Sequence, residues 1–336
     1  LTAIFAETQT AYPLLELRIP QFTLTQMSVM IGITVSNEEQ NIGTLLEYLV
    51  NCAPSEVEAI FIVSSGSTDR TNDIVESYCQ QDTRIQLIKE TERNGKAAAL
   101  NLLLAYSENF DYMVYMGGDN IPCRDALPQL LSALKSLDVE IVGGHPLPVD
   151  SPNNFMGFCS HLLWNLHHES SLKNPKISGE LMVFKTRIIR ELPPAIINDD
   201  AYIQALGELK RCKIAYCPEA EVLLKGPSTM SDFITQRRRV FIGHKQLEFL
   251  IGRKVSTMKV PSMKNLMNAC PFKGLKGRVY LVGFIMLQGI ALLLARWDFA
   301  RHKLPIKWPM VKTTKNLHIT TDAILLTTIE PLGVRR

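Results

Sequence analysis

Six short segments of this 336-residue sequence combine residue types that handle charge. Asn37-Glu38-Glu39, Ser65 to Asp69 and Asn94-Gly95-Lys96 come first in the chain. Asp119 ends the run Tyr112-Met113-Val114-Tyr115-Met116-Gly117-Gly118-Asp119-Asn120, Asn198-Asp199-Asp200 lies beyond it, and Gln236-Arg237-Arg238-Arg239-Val240 closes the series. Carboxylates converging on one crevice suit a hard divalent cation, and Mg²⁺ or Mn²⁺ bound by Asp and phosphate oxygens is the expected pairing. Nearby Lys and Arg would hold the oxygens of a diphosphate. The residues therefore suggest a divalent metal holding a diphosphate.

The elements that position these segments alternate in type. Ser28 to Val35 is a continuous apolar run, as expected of a strand buried on both faces. Ser36 or Asn37 is expected to cap the helix that follows, with Glu39 or Gln40 in its first turn. Val57 to Val63, Ile85 to Ile88 and Tyr112 to Met116 read as further strands, with helices after Thr71, Ala97 and Ala126. Such alternation with short loops specifies an α/β fold whose mostly parallel sheet is covered by helices on both faces. Its ligand site is expected at the carboxyl ends of the strands. Val139 to Gly143 is read as a strand, 144–154 as a loop, and 155–168 as a helix. Leu181 to Phe184 and Lys213 to Tyr216 are read as strands, the latter ending before Pro218, and Phe233 to Ile251 as a helix.

Composition limits the possibilities. The chain is 46% hydrophobic and 21% charged, and 36 Lys and Arg against 33 Asp and Glu give a net charge of +3. That excess is too small to imply nucleic acid. Seven cysteines without a CxxC pair are expected to be reduced, which suits a catalytic domain facing the cytoplasm. The sequence starts at Leu1 with no initiator Met and no signal peptide, so a fragment, a processed form or a trimmed chain is expected.

After Gly252 the composition changes. Arg253, Lys254, Lys259, Lys264, Lys273, Lys276 and Arg278 lead into an apolar run from Val279 to Ala295, interrupted only by Gln288. Seventeen residues make about 25 Å of helix against a hydrocarbon core of about 30 Å. A membrane span or tilted re-entrant helix, an interfacial helix, and a buried core helix or oligomer interface all stay open. The basic lead-in favours a cytoplasmic side facing anionic lipid. A second apolar stretch, Ala323 to Ile329, is too short to span. The expected organisation is a lead-in at 1–25, a catalytic domain at 26–252 and a basic, apolar, membrane-associated region at 253–336.

From about Met27 to Gly243 the motifs, taken in order, resemble the family 2 glycosyltransferases. Ser36-Asn37-Glu38-Glu39 is similar to that family's opening Asn-Glu-Glu loop, and Gly66-Ser67-Thr68-Asp69 to its Gly-Ser-Thr-Asp turn. Asn94-Gly95-Lys96 is similar to its Gly-Lys segment, and Asn198-Asp199-Asp200 to its acidic pair. Gln236 with Arg239 resembles the Gln-x-x-Arg-Trp motif of membrane-embedded or lipid-acting members, with Val240 in place of Trp. Two positions depart: Ser65 stands where the family usually has Asp, and Gly117-Gly118-Asp119 where it has Asp-x-Asp.

The resemblance implies a GT-A fold and an inverting transfer from a nucleotide-diphospho-sugar to a lipid-linked or polysaccharide acceptor. It implies Asp119 as metal ligand and Asp200 as general base. It assigns Ser36, Asn37, Glu38, Ser65, Asp69, Asn94, Lys96, Gly118, Gln236 and Arg239 to the donor, and His145, His168 and Asp199 to the acceptor region. Thr313-Thr314-Lys315 is read either as a gate over the site or as a basic loop after the apolar helix. A soluble enzyme with a small or protein acceptor, and a degenerate sugar-nucleotide-binding subunit, are the alternatives.

Overall fold

The computed structural model describes residues 27–252, 261–302, 305, 308, 309 and 311–317. The lead-in 1–25, the basic residues Arg253, Lys254 and Lys259, and the apolar stretch 323–329 lie outside the described residues.

The continuous apolar runs form the sheet. Strands β1 (Val29–Val35), β2 (Val57–Ser65), β3 (Ile85–Glu90) and β4 (Tyr112–Gly117) pair in parallel in the order β3-β2-β1-β4. The sheet then continues through β7 (Met182–Lys185), β6 (Ile141–Pro148), β8 (Ile214–Leu224) and the two-residue β5 (Ile121–Pro122). β7 is antiparallel to both its neighbours, and β5 to β8. The expected mostly parallel α/β sheet is therefore present, with mixed pairing beyond β4.

Helices cover both faces and divide the core. On one face α1 (Ile42–Cys52), α2 (Thr71–Cys79) and α4 (Ala126–Ser136) bury Leu45, Leu49, Val75 and Leu130 against Ile31, Ile33 and Val114. On the other, α3 (Lys96–Ser107), α6 (Asp199–Leu209) and α7 (Met230–Ile251) pack Leu100, Leu103, Ile203 and Leu247 onto Met30, Met113 and Tyr115. A third core joins α5 (Phe155–Ser171), α7, α8 (Met263–Ala269) and α9 (Leu275–Ala300) through Phe158, Phe233, Leu266 and Phe284.

Helix α9 extends well past the expected 279–295. At 26 residues it is long and apolar enough to cross a membrane, with a mean hydropathy of 1.9 in its most apolar window. Its buried residues Gly277, Leu281, Phe284, Leu287, Ala291, Ala295 and Asp298 recur every three or four positions. They form one seam, as a helix resting on a protein surface on one side does. Val279, Val282, Met286, Leu293 and Trp297 on the remaining surface are exposed.

Three local expectations are corrected. Neither Ser36 nor Asn37 caps α1: its N-cap is Asn41 without a side-chain cap bond, and Glu39 and Gln40 precede the helix. Asn37 instead adopts a left-handed backbone (φ 55°) and accepts a 2.8 Å hydrogen bond from the Thr68 amide, stitching two loops together. Strand β8 does not stop before Pro218 but runs to Leu224. The pairing jumps from Gly143↔Tyr216 to His145↔Glu221, so Pro218 falls in a bulge where no ladder donor is needed. Strand β6 accordingly continues through His145 to Pro148, where a loop was expected.

Candidate active site

The sheet reverses its order of growth at β1, which has β2 on one side and β4 on the other. Ligands of open α/β sheets bind in the crevice outside the strand ends at such a point. Here the loops after β1 and β4 flank a cavity of about 1130 Å³ that reaches from Ser36, Glu38, Ser65 and Asp119 to the α5-α7-α8-α9 bundle.

Asp119 follows directly from the departure at Gly117. A Cβ at Gly117 would lie 2.8 Å from Asp119 Oδ1 and 2.9 Å from Asn120 Nδ2. The volume that a first Asp would need is thus filled by the carboxylate that remains. Glu38 is buried close by, and its carboxyl is pushed up to about 8 by burial and then by the Asp119 charge. It pairs with Lys315 and accepts from Asn41 Nδ2 at 3.1 Å. The Asn41 amide also holds the Lys315 carbonyl (2.9 Å) and the Leu317 amide (3.1 Å), so 315–317 is tied down beside Glu38.

At the start of α6 two adjacent carboxylates have different surroundings. Asp199 is buried, with its Oδ2 3.1 Å from Lys96 Nζ and 3.3 Å from the Tyr115 hydroxyl, which donates to it. Burial works against the Lys96 ammonium, but Asp199, Tyr115 and Asp200 more than reverse this and raise its pKa. Asp200 accepts from the Ala201 amide at 2.7 Å and the Gly179 amide at 3.2 Å. Burial and the Asp199 charge raise the Asp200 carboxyl above its ordinary range. Glu180, which the sequence reading passed over, lines the same cavity and is pushed up to about 7 by burial and by Asp200. A single carboxylate opening an apolar strand was the signal for it.

Of the residues predicted from sequence, Ser36, Glu38, Ser65, Lys96, Asp119, Asp199, Asp200, Gln236 and Arg239 line the cavity. Ser65 Oγ and Arg239 Nε are buried without a hydrogen-bond partner, as is Trp308 Nε1. Buried polar atoms are rarely left so in a native protein, and three on one cavity indicate a polar ligand.

Asn37, Asp69, Asn94, Gly118, His145 and His168 do not line it. Asp69 accepts from the Thr71 amide and hydroxyl (3.0 and 2.6 Å) and from the Glu39 amide (3.1 Å), holding the loop ahead of α2. Burial opposes its ionisation, but these bonds win and its pKa is lowered. Asn94 donates to Glu90 at 3.2 Å, and Gly118 lets the backbone pass Val35, whose side chain a Cβ would meet at 2.4 Å. His145 and His168 stack at 4.2 Å, and His168 shares a 2.9 Å hydrogen bond with the Tyr216 hydroxyl. Their neighbour His167 lines the cavity instead, as does His244 on α7.

No group of three or more His, Cys, Asp or Glu suited to a metal occurs among the described residues. The donor set is nonetheless compatible with Mg²⁺ or Mn²⁺ carried in by a diphosphate. Such ions are commonly held by one or two carboxylates together with substrate phosphates and water. Asp119 would supply one such carboxylate, whereas Glu38 is engaged by Lys315 and Asn41.

A mostly parallel sheet covered on both faces, with an acidic crevice at its switch point, is the architecture of a GT-A glycosyltransferase. Residues 30–193 match the family described as Glycosyl transferase family 2, so the chain carries a glycosyltransferase family 2 domain. It is similar to glycosyltransferase GlyG of Streptococcus pneumoniae, 24% identical over 132 residues that are 38% of this chain and 43% of that protein. It is also similar to a beta-monoglucosyldiacylglycerol synthase of Synechocystis sp., 28% identical over 112 residues, 32% of this chain and 23% of that protein. The chain thus spans less than half the length of these curated relatives. Among solved structures, a mannosyltransferase of Pyrobaculum calidifontis in complex with GDP-Man and Mn²⁺ shares the fold. Its TM-score is 0.53 at 20% identity, over 84% of this chain and 78% of that one.

Proposed function

We propose that this chain transfers a sugar, with inversion, from a nucleotide-diphospho-sugar to a hydroxyl of a lipid-linked or polysaccharide acceptor at a membrane surface. The observation that carries the reading is the division of labour at α6. Asp199 is neutralised by Lys96, while Asp200, in the same cavity as Asp119, is held by two backbone amides, feels the Lys96 charge only at a distance and forms no ion pair among the described residues. A carboxylate so oriented, with a raised pKa, suits a general base that takes the acceptor proton as that oxygen attacks the anomeric carbon.

Ser65, Ser36 and Arg239 line the donor end, and the partnerless Arg239 Nε is available to a phosphate oxygen. A divalent ion held by Asp119 would offset the charge that develops on the leaving diphosphate. Charge stabilisation of this kind is commonly the largest contribution to catalysis. Support for an acceptor at a membrane comes from the exposed apolar surface of α9 beside the cavity, and from one relative's name as a beta-monoglucosyldiacylglycerol synthase. With the active site on the cytoplasmic side, the domain would occupy 26–252, and the region after it would hold it at the bilayer.

The test is nucleotide release from UDP-, GDP- and dTDP-sugars, run with Mg²⁺ and Mn²⁺ separately. Asp119→Ala and Asp200→Asn should each abolish turnover. Unchanged turnover in both variants would refute the assignment, and nucleotide affinity without turnover would indicate a binding subunit.

A further inference from the structure

Glu180 is a cavity carboxylate to which the proposed function gives no task, and its place follows from the sheet. β4 and β7 pair antiparallel from Tyr112↔Lys185 to Tyr115↔Met182. The same register, continued two residues, sets Glu180 across from Gly117, two positions ahead of Asp119. On the other side its chain neighbour Gly179 donates its amide to Asp200 at 3.2 Å. Glu180 therefore stands between the carboxylate proposed for the metal and the proposed base, and it lines the cavity there. In an inverting transfer the anomeric carbon lies between the leaving phosphate oxygen and the attacking oxygen. The sugar ring being transferred must then lie beside Glu180.

The surroundings set the form in which Glu180 meets that ring. Charged and titratable groups lining the same cavity come from α3 (Lys96), α6 (Asp199 and Asp200), α7 (Arg239 and His244) and the approach to β7 (Lys176). Burial and then the Asp200 charge work against ionisation of Glu180, and Lys96 favours it only in part. Two neighbouring carboxylates in one site do not both ionise cheaply. Asp200 has two backbone amides fixed on it at 2.7 and 3.2 Å, whereas Glu180 has the Ser178 hydroxyl and its own amide. The proton of the pair accordingly falls to Glu180. A neutral carboxyl has one O–H donor besides its acceptor capacity, while a carboxylate only accepts. A sugar hydroxyl both donates and accepts, so the acid form matches it in either direction.

We propose that Glu180 recognises the transferred sugar as a carboxylic acid, donating a hydrogen bond to one of its hydroxyl oxygens and leaving Asp200 as the ionised carboxylate. The inference rests on the proposed function and deepens it, adding a contact to the sugar itself rather than to the nucleotide.

The measure is the affinity of a nucleotide-diphospho-sugar divided by that of its own nucleoside diphosphate. Both are titrated by calorimetry into the full chain with Mg²⁺, at pH 6 and pH 9, using the UDP-, GDP- or dTDP-sugar that supports turnover. The titration of the nucleotide is common to all variants, so the ratios are compared between proteins at each pH. Glu180→Gln keeps a donor and an acceptor at every pH. Its ratio should equal that of the wild type at pH 6 and exceed it at least fivefold at pH 9. Glu180→Ala should lower the ratio at least tenfold at pH 6 while its affinity for the nucleoside diphosphate stays unchanged. An unaltered ratio in Glu180→Ala would overturn the contact, and so would equal weakening of both ligands. Wild-type and Glu180→Gln ratios that agree at pH 9 would overturn the acid form. Turnover that depends on Asp119 and Asp200, with an unaltered ratio in Glu180→Ala, would reject this inference alone. Turnover indifferent to both aspartates would reject the underlying function, whatever the ratios.

Discussion

The Lys96 ammonium lies 3.1 Å from the carboxylate of Asp199 and not against that of Asp200, one residue later. Adjacent residues at a helix start point about 100° apart, so one faces the cation on α3 and the other turns to the Gly179 amide. Removing the base should cost most. Asp200→Asn is expected to lower kcat by about 10²- to 10⁴-fold, the usual contribution of a positioned general base. Asp199→Asn should act differently. The Asp200 pKa is raised by burial and then by the Asp199 charge, so deleting that charge lowers it. The base must be ionised to work, and its activity rises with pH through its pKa. The acid limb of the kcat/KM profile should therefore move to lower pH in Asp199→Asn, and a limb that moved upward would contradict the pairing.

Glu180 is expected to make stability fall as pH rises. Burial and Asp200 raise its folded pKa from an ordinary 4.5 to about 7, so the folded state holds this proton more tightly than the unfolded chain. The stabilisation is complete below about 4.5 and is lost as pH rises through about 7. Glu180→Gln keeps the uncharged form at every pH. It should raise Tm by about 2 °C or more at pH 8 and by much less at pH 5 in thermal melts. An equal gain at both pH values would mean that ionisation of Glu180 is not the cause.

How much of this was legible in the sequence depended on how local the cause was. Strands β1, β2 and β4 could be read because burial on both faces leaves an unbroken apolar run between short loops. Asp119 and Asp200 could be read because they sit directly at element ends. The passage of β8 beyond Pro218 could not, because a strand with proline is permitted only by the bulge that its partner β6 accepts. His168 was chosen over His167 for the cavity because nothing local says which of two neighbours on a helix faces inward. Packing of α5 against α8 and α9 decides that. Lys315 reaches Glu38 from 277 residues away, and no local pattern announces such a contact.

The Lys315 contact has a measurable consequence. Its ammonium pairs with the buried Glu38 and donates to the Ser36 carbonyl at 3.0 Å. Removing one partner of a buried pair leaves a charge without compensation, which can cost about 3–5 kcal/mol. Glu38 escapes much of that cost when it can take a proton, since burial and Asp119 already push its pKa up to about 8. Lys315→Ala should therefore lower Tm more at pH 9, where the wild-type Glu38 is ionised and the ion pair is intact, than at pH 6. Adding Glu38→Gln should recover most of the loss at pH 9. If the pH 9 deficit persists in the double variant, the pair is not what holds 315–317 against the donor site.

Helix α9 makes the last prediction. One seam of it is buried against α5 and α7, yet Met286, Ile290 and Leu293 on its outer side are 63%, 43% and 66% exposed. Burying a side chain of this size is worth about 1.5–3 kcal/mol, so three left in water would be a large cost unless lipid covers them. Replacing all three with Gln touches none of the buried seam, and the far-ultraviolet spectrum and nucleotide affinity should be unchanged. Flotation with phospholipid vesicles should fall at least tenfold. A second copy of the chain covering the same surface would give a different result. Flotation would then be weak in both proteins, and light scattering would show the substituted form dissociating into monomers. That outcome would remove the membrane from the account and leave the surface as a subunit interface.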